Sequence, residues 1–258
     1  MTSEINCHYS ITGKGPALFL THGIGASEDA WRFVLPDLSK HFSVVTYDIR
    51  GHGKSPVTHK NFTLNELVLD LERIREKSQF DKAHFAGHSL GGMIAPAYAL
   101  KFPEHTLSVG LLSTVAGRSE EDSKKVWNVI DEMEKNGIEK TLQTLTTRWF
   151  TDEFIKKNSD LVERRLKQVL EIDPEVFLNV FKIYAKTEMY PWLRNISKPC
   201  LLLTGEHDGG CSPKHNKKMA KEIKNSKLVI LPNYKHSFLI ETLHEVAECL
   251  IKFIICLQ

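Results

Sequence analysis

No apolar run in this 258-residue sequence approaches the length needed to cross a bilayer. Its start, Met1-Thr-Ser-Glu-Ile-Asn, lacks the basic region and apolar stretch of a secretory signal. Paired cysteines are missing too. The five present, at positions 7, 200, 211, 249 and 256, are odd in number and form no CxxC, which predicts reduced thiols and a cytoplasmic setting. Charge of one sign is also in short supply. With 34 Lys and Arg against 32 Asp and Glu the net charge is +2, and Lys and Glu alternate along the helical stretches instead of forming a stripe. That balance excludes a polyanion-binding face, so neither nucleic acid nor a membrane surface is the expected partner.

Signatures of metal and cofactor sites are absent as well. There is no HExxH and no paired Cys/His spacing, so the expectation is no metal. Gly51-His-Gly-Lys-Ser55 resembles the end of a P-loop, but Asp48 stands where the first glycine is required. Gly23-Ile-Gly25 lacks the third glycine of a dinucleotide fingerprint, since Glu28 occupies that position. No cofactor is therefore expected. The sequence has no internal repeat and carries no signal of oligomeric state.

What is present is the composition of a globular protein, 41% hydrophobic and 26% charged. Ala17-Leu-Phe-Leu-Thr21, Ser43-Val-Val-Thr-Tyr47 and Ala83-His-Phe-Ala86 read as buried strands, each followed by a glycine-containing turn. Between the last two, Leu64, Leu67, Val68, Leu71 and Ile74 repeat at helical spacing behind a Thr63/Glu66 capping box. Ser108-Val-Gly-Leu-Leu-Ser113 reads as a fourth strand. The alternation predicts an α/β fold, a mostly parallel central sheet flanked by helices. From 117 to 195 only helical patterns occur, such as the Trp127/Ile130/Met133 stripe and the stretch 161–170. Strands resume at Pro199-Cys-Leu-Leu-Leu-Thr204 and Leu228-Val-Ile-Leu231, and the chain closes on a helix with Val246, Leu250, Phe253 and Ile254 on one side. The organisation expected is a core over 1–116 and 196–258 with a helical insertion at 117–195.

The strongest local motif is Gly87-His-Ser-Leu-Gly91, a G-x-S-x-G elbow set between a strand and a helix. A turn this tight projects the serine hydroxyl above the sheet beside a helix N-terminus, whose dipole favours developing negative charge. A serine needs a base that a third group orients, and in elbow proteins the acid and the histidine follow it in that order. Asp208 lies just past the strand 199–204 and His236 just past 228–231, so all three sit where strands of a parallel sheet end. Ser89, Asp208 and His236 are the expected catalytic residues. Glu206 is the alternative acid, two residues away, and His207 reads as a surface residue. The oxyanion hole is expected from the backbone N–H groups of Leu90 and Ile24, with Gly23 next. His22 reads as a brace for that loop, and Cys211 as a small inert residue near the pocket.

Together these residues resemble the α/β-hydrolase superfamily over nearly the whole chain. His22-Gly23, Asp48-Ile-Arg-Gly-His-Gly-Lys-Ser55, the elbow at Ser89, Gly205-Glu-His-Asp208 and His236 follow that family's order. The resemblance implies Ser89 as nucleophile, Asp208 as acid and His236 as base, a structural role for 48–55, and a helical cap at 117–195 that covers the pocket and sets substrate choice. Within the superfamily, Thr147-Arg-Trp-Phe-Thr-Asp-Glu-Phe154 is similar to a cap motif of 3-oxoadipate enol-lactonases and related ring-cleavage-product hydrolases. The chain departs from their pattern at Tyr184-Ala-Lys-Thr-Glu-Met-Tyr-Pro-Trp192. Gly23, Arg118, Arg148 and Trp149 are the expected substrate contacts, the two arginines as carboxylate clamps. The function expected is hydrolysis of a small carboxylic ester, lactone or enol-lactone through an acyl-enzyme on Ser89. The alternatives are carbon–carbon hydrolysis of a ring-fission product with the same triad, a perhydrolase activity, and a non-catalytic small-ligand receptor.

Overall fold

The computed structural model describes residues 4–242 and 244–257. The short apolar runs become strands: β1 (Tyr9–Thr12), β2 (Ala17–Thr21), β3 (Ser43–Tyr47), β4 (Ala83–His88), β5 (Thr106–Leu112), β6 (Cys200–Gly205) and β7 (Ser226–Leu231). They form one sheet in the order β1-β3-β2-β4-β5-β6-β7. Every neighbouring pair is parallel except β1 with β3. Side chains alternate across the pleat, so Phe19, Val45, Phe85, Val109 and Leu202 pack one face with Leu71, Ile74, Ile94 and Tyr98. Leu18, Leu20, Val44, Leu201 and Leu203 pack the other with Trp31, Phe238, Val246 and Leu250. A parallel sheet covered on both faces explains why β2 and β6 are buried at every position.

The structure differs from the sequence expectation at the sheet's margins. Strand β1 was not anticipated. It is an edge strand whose residues are half-buried or exposed, with Ile11 46% exposed, so it carries no apolar run. Strand β4 continues to His88, two residues beyond the expected end, and delivers the chain directly into the elbow. Strand β6 starts at Cys200 instead of Pro199, because proline has no N–H to give the ladder, although its carbonyl still accepts from Val109 at 2.9 Å. Strand β7 starts at Ser226, ahead of its apolar stretch, and β5 runs from Thr106 to Leu112.

Thr63 and Glu66 make both bonds of the capping box on the helix Leu64–Lys77. That helix is tied to the segment after β3 by the fully buried Arg50, which donates to Asp70 at 2.6 and 2.8 Å. Asp48 accepts the amides of Glu28 (2.7 Å) and Lys54 (2.8 Å), which makes 48–55 a brace between loops. Between the sheet neighbours β5 and β6 the chain makes a helical excursion: Glu120–Asn136, Ile138–Trp149, Asp152–Lys157, Ser159–Leu170, Pro174–Lys186 and Tyr190–Leu193, with no strand among the described residues. No helix among the described residues is long and apolar enough to cross a membrane.

Candidate active site

Ser89, Asp208 and His236, with the loop after β2, lie just past the carboxyl ends of β4, β6, β7 and β2, where an open α/β sheet offers its loops. Strand β4 enters the helix Gly91–Lys101 through Ser89, whose φ of +56° is left-handed for a residue with a Cβ. The two glycines are obligatory for space. A Cβ on Gly87 would lie 2.0 Å from the Gly91 carbonyl oxygen, and one on Gly91 would lie 2.2 Å from that of Thr21. The Ser89 amide is held by the Leu112 carbonyl at 2.8 Å, so the elbow is stitched to β5.

His236 Nδ1 lies 2.8 Å from Asp208 Oδ2. Asp208 is 2% exposed and accepts three further bonds: Ser113 Oγ (2.8 Å), and the amides of Gly210 (3.0 Å) and Cys211 (2.8 Å). Burial works against the carboxylate, but the His236 ring and these donors outweigh it and hold Asp208 well below the usual carboxylate range. Burial also disfavours the His236 cation, yet the adjacent Asp208 charge prevails and raises the imidazole above its ordinary value. Glu206, the other candidate acid, is exposed and accepts the Asn233 amide at 3.0 Å. No hydrogen bond joins Ser89 Oγ to the His236 ring among the described residues. The two line the same cavity, and such contacts commonly close only with substrate in place.

The loop after β2 runs past Ser89: a Cβ on Gly23 would meet the Ser89 Cβ at 3.0 Å. His22 braces it, with Nδ1–H donating to the Gly23 carbonyl (2.8 Å) and Nε2 accepting the Ile49 amide (3.0 Å). Burial lowers His22 to about 4, so it stays neutral in this role. The amides of Gly25, Ala26 and Ser89 all have protein acceptors. Those of Ile24 and Leu90 have none among the described residues.

The cavity has a volume of about 670 Å³ and is lined by Ser89, His236, Asp208, Gly23 and Ile24 together with residues of the helical excursion. Trp149 and Arg148 are in its wall, and Arg148 makes no hydrogen bond or ion pair among the described residues. Arg118 is there too, but its terminal nitrogens are committed to the carbonyls of Tyr184 (2.9 Å) and Ala185 (3.1 Å), with the guanidinium 4.5 Å from the Tyr184 ring.

Three contributors had no sequence assignment. Ser113, at the end of β5, supports Asp208. His88 donates from Nε2 to the His236 carbonyl at 2.8 Å, and its ring, pushed down to about 3 by burial and the neighbouring His236, is neutral. Arg165 lines the cavity and reaches the loop after β2. Asp208, Cys211 and His236 offer ligand-type atoms within 4.8 Å of one another, as do His8, Glu28 and Asp48. In the first group the carboxylate and imidazole are already bonded together, and in the second Asp48 is occupied by two amides.

A family profile described as the alpha/beta hydrolase fold matches residues 16–169. 3-Oxoadipate enol-lactonase 1 of Acinetobacter baylyi is 31% identical over 196 residues, covering 76% of this chain and 72% of that protein. The (E)-2-((N-methylformamido)methylene)succinate hydrolase of the same organism is 24% identical over 240 residues, 92% of this chain and 89% of that one. Among solved structures, the enol-lactonase of Burkholderia xenovorans aligns with a TM-score of 0.90 at 23% identity, covering 97% of this chain and 96% of that one, a likeness of fold.

Proposed function

The chain belongs to the α/β-hydrolase fold family, and on that footing we propose that it is a serine hydrolase of small carboxylic esters, lactones or enol-lactones. The observation that carries this reading is the His236–Asp208 pair, four-fold bonded at the carboxylate, in one cavity with a serine on a strained elbow. In the proposed reaction Ser89 Oγ attacks the substrate carbonyl as its proton passes to His236 Nε2. The N–H groups of Leu90 and Ile24, both free of protein acceptors among the described residues, hold the oxyanion. His236 then protonates the leaving oxygen, which in a lactone stays tethered to the acyl group. It next takes a proton from water as that water attacks the acyl-enzyme, then returns it to Ser89 Oγ as the acid is released, restoring Ser89. Asp208 fixes the proton on Nδ1 and stabilises the imidazolium.

The excursion 117–195 acts as the cap in this reading, and Arg148 offers its uncommitted guanidinium to a substrate carboxylate. The similarity to an enol-lactonase and to a succinate-derivative hydrolase favours such an acidic substrate. The test is turnover of p-nitrophenyl acetate and of a carboxylated enol-lactone by wild type and Ser89→Ala. Loss of about four orders of magnitude or more in kcat is expected for the variant. Unchanged hydrolysis by Ser89→Ala overturns the reading. Turnover of a ring-fission diketone with none of esters assigns carbon–carbon hydrolysis instead, and saturable binding without turnover assigns a receptor.

A further inference from the structure

The loop that carries Ile24 is held from two directions. From the core, His22 donates to the Gly23 carbonyl and His52 Nε2 accepts the Gly25 amide at 3.2 Å. From the helical excursion, Arg165 on the helix Ser159–Leu170 donates to the carbonyl of Ile24 at 2.8 Å and to that of Gly25. The peptide between Ile24 and Gly25 is therefore gripped at both ends, its N–H by His52 and its C=O by Arg165. The peptide before it has its carbonyl fixed by His22 and by the Ala26 amide (3.3 Å). The group left over is the Ile24 N–H.

The grip continues along the same helix. Gln168 Nε2 donates to Ser27 Oγ at 2.7 Å and Arg164 pairs with Asp29 at 3.1 Å. A Cβ on Gly25 would lie 2.9 Å from both Val169 and Phe177, so the loop and the helices over it are in close contact. Arg165 itself has no carboxylate partner among the described residues. Burial lowers it to about 10, which still leaves it charged at neutral pH. A guanidinium held this way is costly unless the dipoles it meets are worth the desolvation. Here they are two carbonyls of the loop beside Ser89 and the Trp149 ring at 5.4 Å.

We propose that Arg165 is a positioning residue whose bonds to the Ile24 and Gly25 carbonyls aim the Ile24 N–H at the oxyanion, so that the hole is complete only while the helix Ser159–Leu170 is seated on the loop. This rests on the hydrolase reading above. It makes closure over the substrate and completion of the catalytic site a single event, because a bond that helps seat the helix also holds the residue that carries the donor.

The test uses the full chain with Arg165→Ala and Arg165→Lys, a neutral and an anionic ester, and a fluorophosphonate that labels the nucleophile without turnover. Misplacing a donor by about 1 Å costs up to about a hundredfold, so Arg165→Ala is expected to lose about 10- to 100-fold in kcat and in labelling rate at near-constant KM. Arg165→Lys, which keeps a cation and N–H donors, restores part of the loss, as does millimolar guanidinium added to Arg165→Ala. Thermal unfolding run alongside shows whether the variants fold. Equal labelling of Ser89 in wild type and Arg165→Ala overturns this proposal alone. A raised KM confined to anionic esters, with kcat and labelling unchanged, also overturns it and makes Arg165 a substrate contact. No labelling of Ser89 in the wild type overturns the hydrolase reading and this proposal with it.

Discussion

Asp208→Asn changes one atom at the most heavily bonded carboxylate of the site, and its consequence follows from who occupies each oxygen. Oδ1 accepts two backbone amides, from Gly210 and Cys211, which cannot turn into acceptors. The asparagine oxygen must therefore take that side, and its NH2 must face Ser113 and His236. Ser113 adapts by rotating its hydroxyl. His236 adapts only by presenting a lone pair at Nδ1, which moves the ring proton to Nε2. A ring protonated at Nε2 cannot accept the proton of Ser89. If the proposed triad operates, the wrong tautomer should lower kcat by about 10⁴-fold, equivalent to about 5.5 kcal/mol of transition-state stabilisation. The pH profile supplies a second, signed readout. In the wild type the His236 imidazole is raised above 6.5, and on the proposed mechanism it must be neutral to act as base, so the acidic limb of kcat/KM is expected above 6.5, with activity falling as pH drops through it. Without the Asp208 charge, burial of the ring dominates and the limb of the residual activity moves to lower pH. The assay is ester hydrolysis between about pH 5 and 9 with both proteins. Retention of more than about a tenth of wild-type kcat, or a limb that does not move, refutes the reasoning.

Ser113→Ala removes one of the four bonds to the Asp208 carboxylate and should cost about 1–3 kcal/mol of stability, read from a chemical denaturation midpoint. An unchanged midpoint means that the remaining donors suffice. Gly87→Ala places a methyl against backbone at 2.0 Å and should destabilise by about 3 kcal/mol or more, since neither partner is a movable side-chain end. Normal stability of that variant would show that the elbow opens freely. Arg148→Gln should raise KM about tenfold for carboxylate-bearing esters and leave neutral esters alone. An equal effect on both classes removes Arg148 from substrate recognition.

The central strands were legible because strands buried on both faces have near-continuous apolar sequences, as in Ala17-Leu-Phe-Leu-Thr21. Edge strand β1 was not, since half its side chains meet solvent and Tyr9-Ser-Ile-Thr12 looks like loop. The residues at strand ends followed from order alone: Asp208 and His236 each come just after an apolar run. Ser113 occupies the same kind of position after β5, but its use depends on β5 lying next to β6, which only the sheet order reveals. Arg118 had the right chemistry and the right region, yet two carbonyls of a later helix engage it, a pairing that spacing does not encode. Arg165 had a readable signal. With Val162, Leu166 and Val169 it shares the i, i+3, i+4, i+7 face that turns inward, while Arg164 points out towards Asp29.

The sheet order has a consequence for how the molecule is made. Strands β2 to β5 adjoin one another and are all in place by Leu112, so the elbow and its glycine loop are assembled from the first part of the chain. Strands β6 and β7 add at the outer edge only after the whole helical excursion has been synthesised. During translation Ser89 is thus present long before Asp208, and Asp208 before His236. On the proposed mechanism, a growing chain on the ribosome lacks its base until its last strand docks, and a message cut short anywhere ahead of His236 yields a protein without that base.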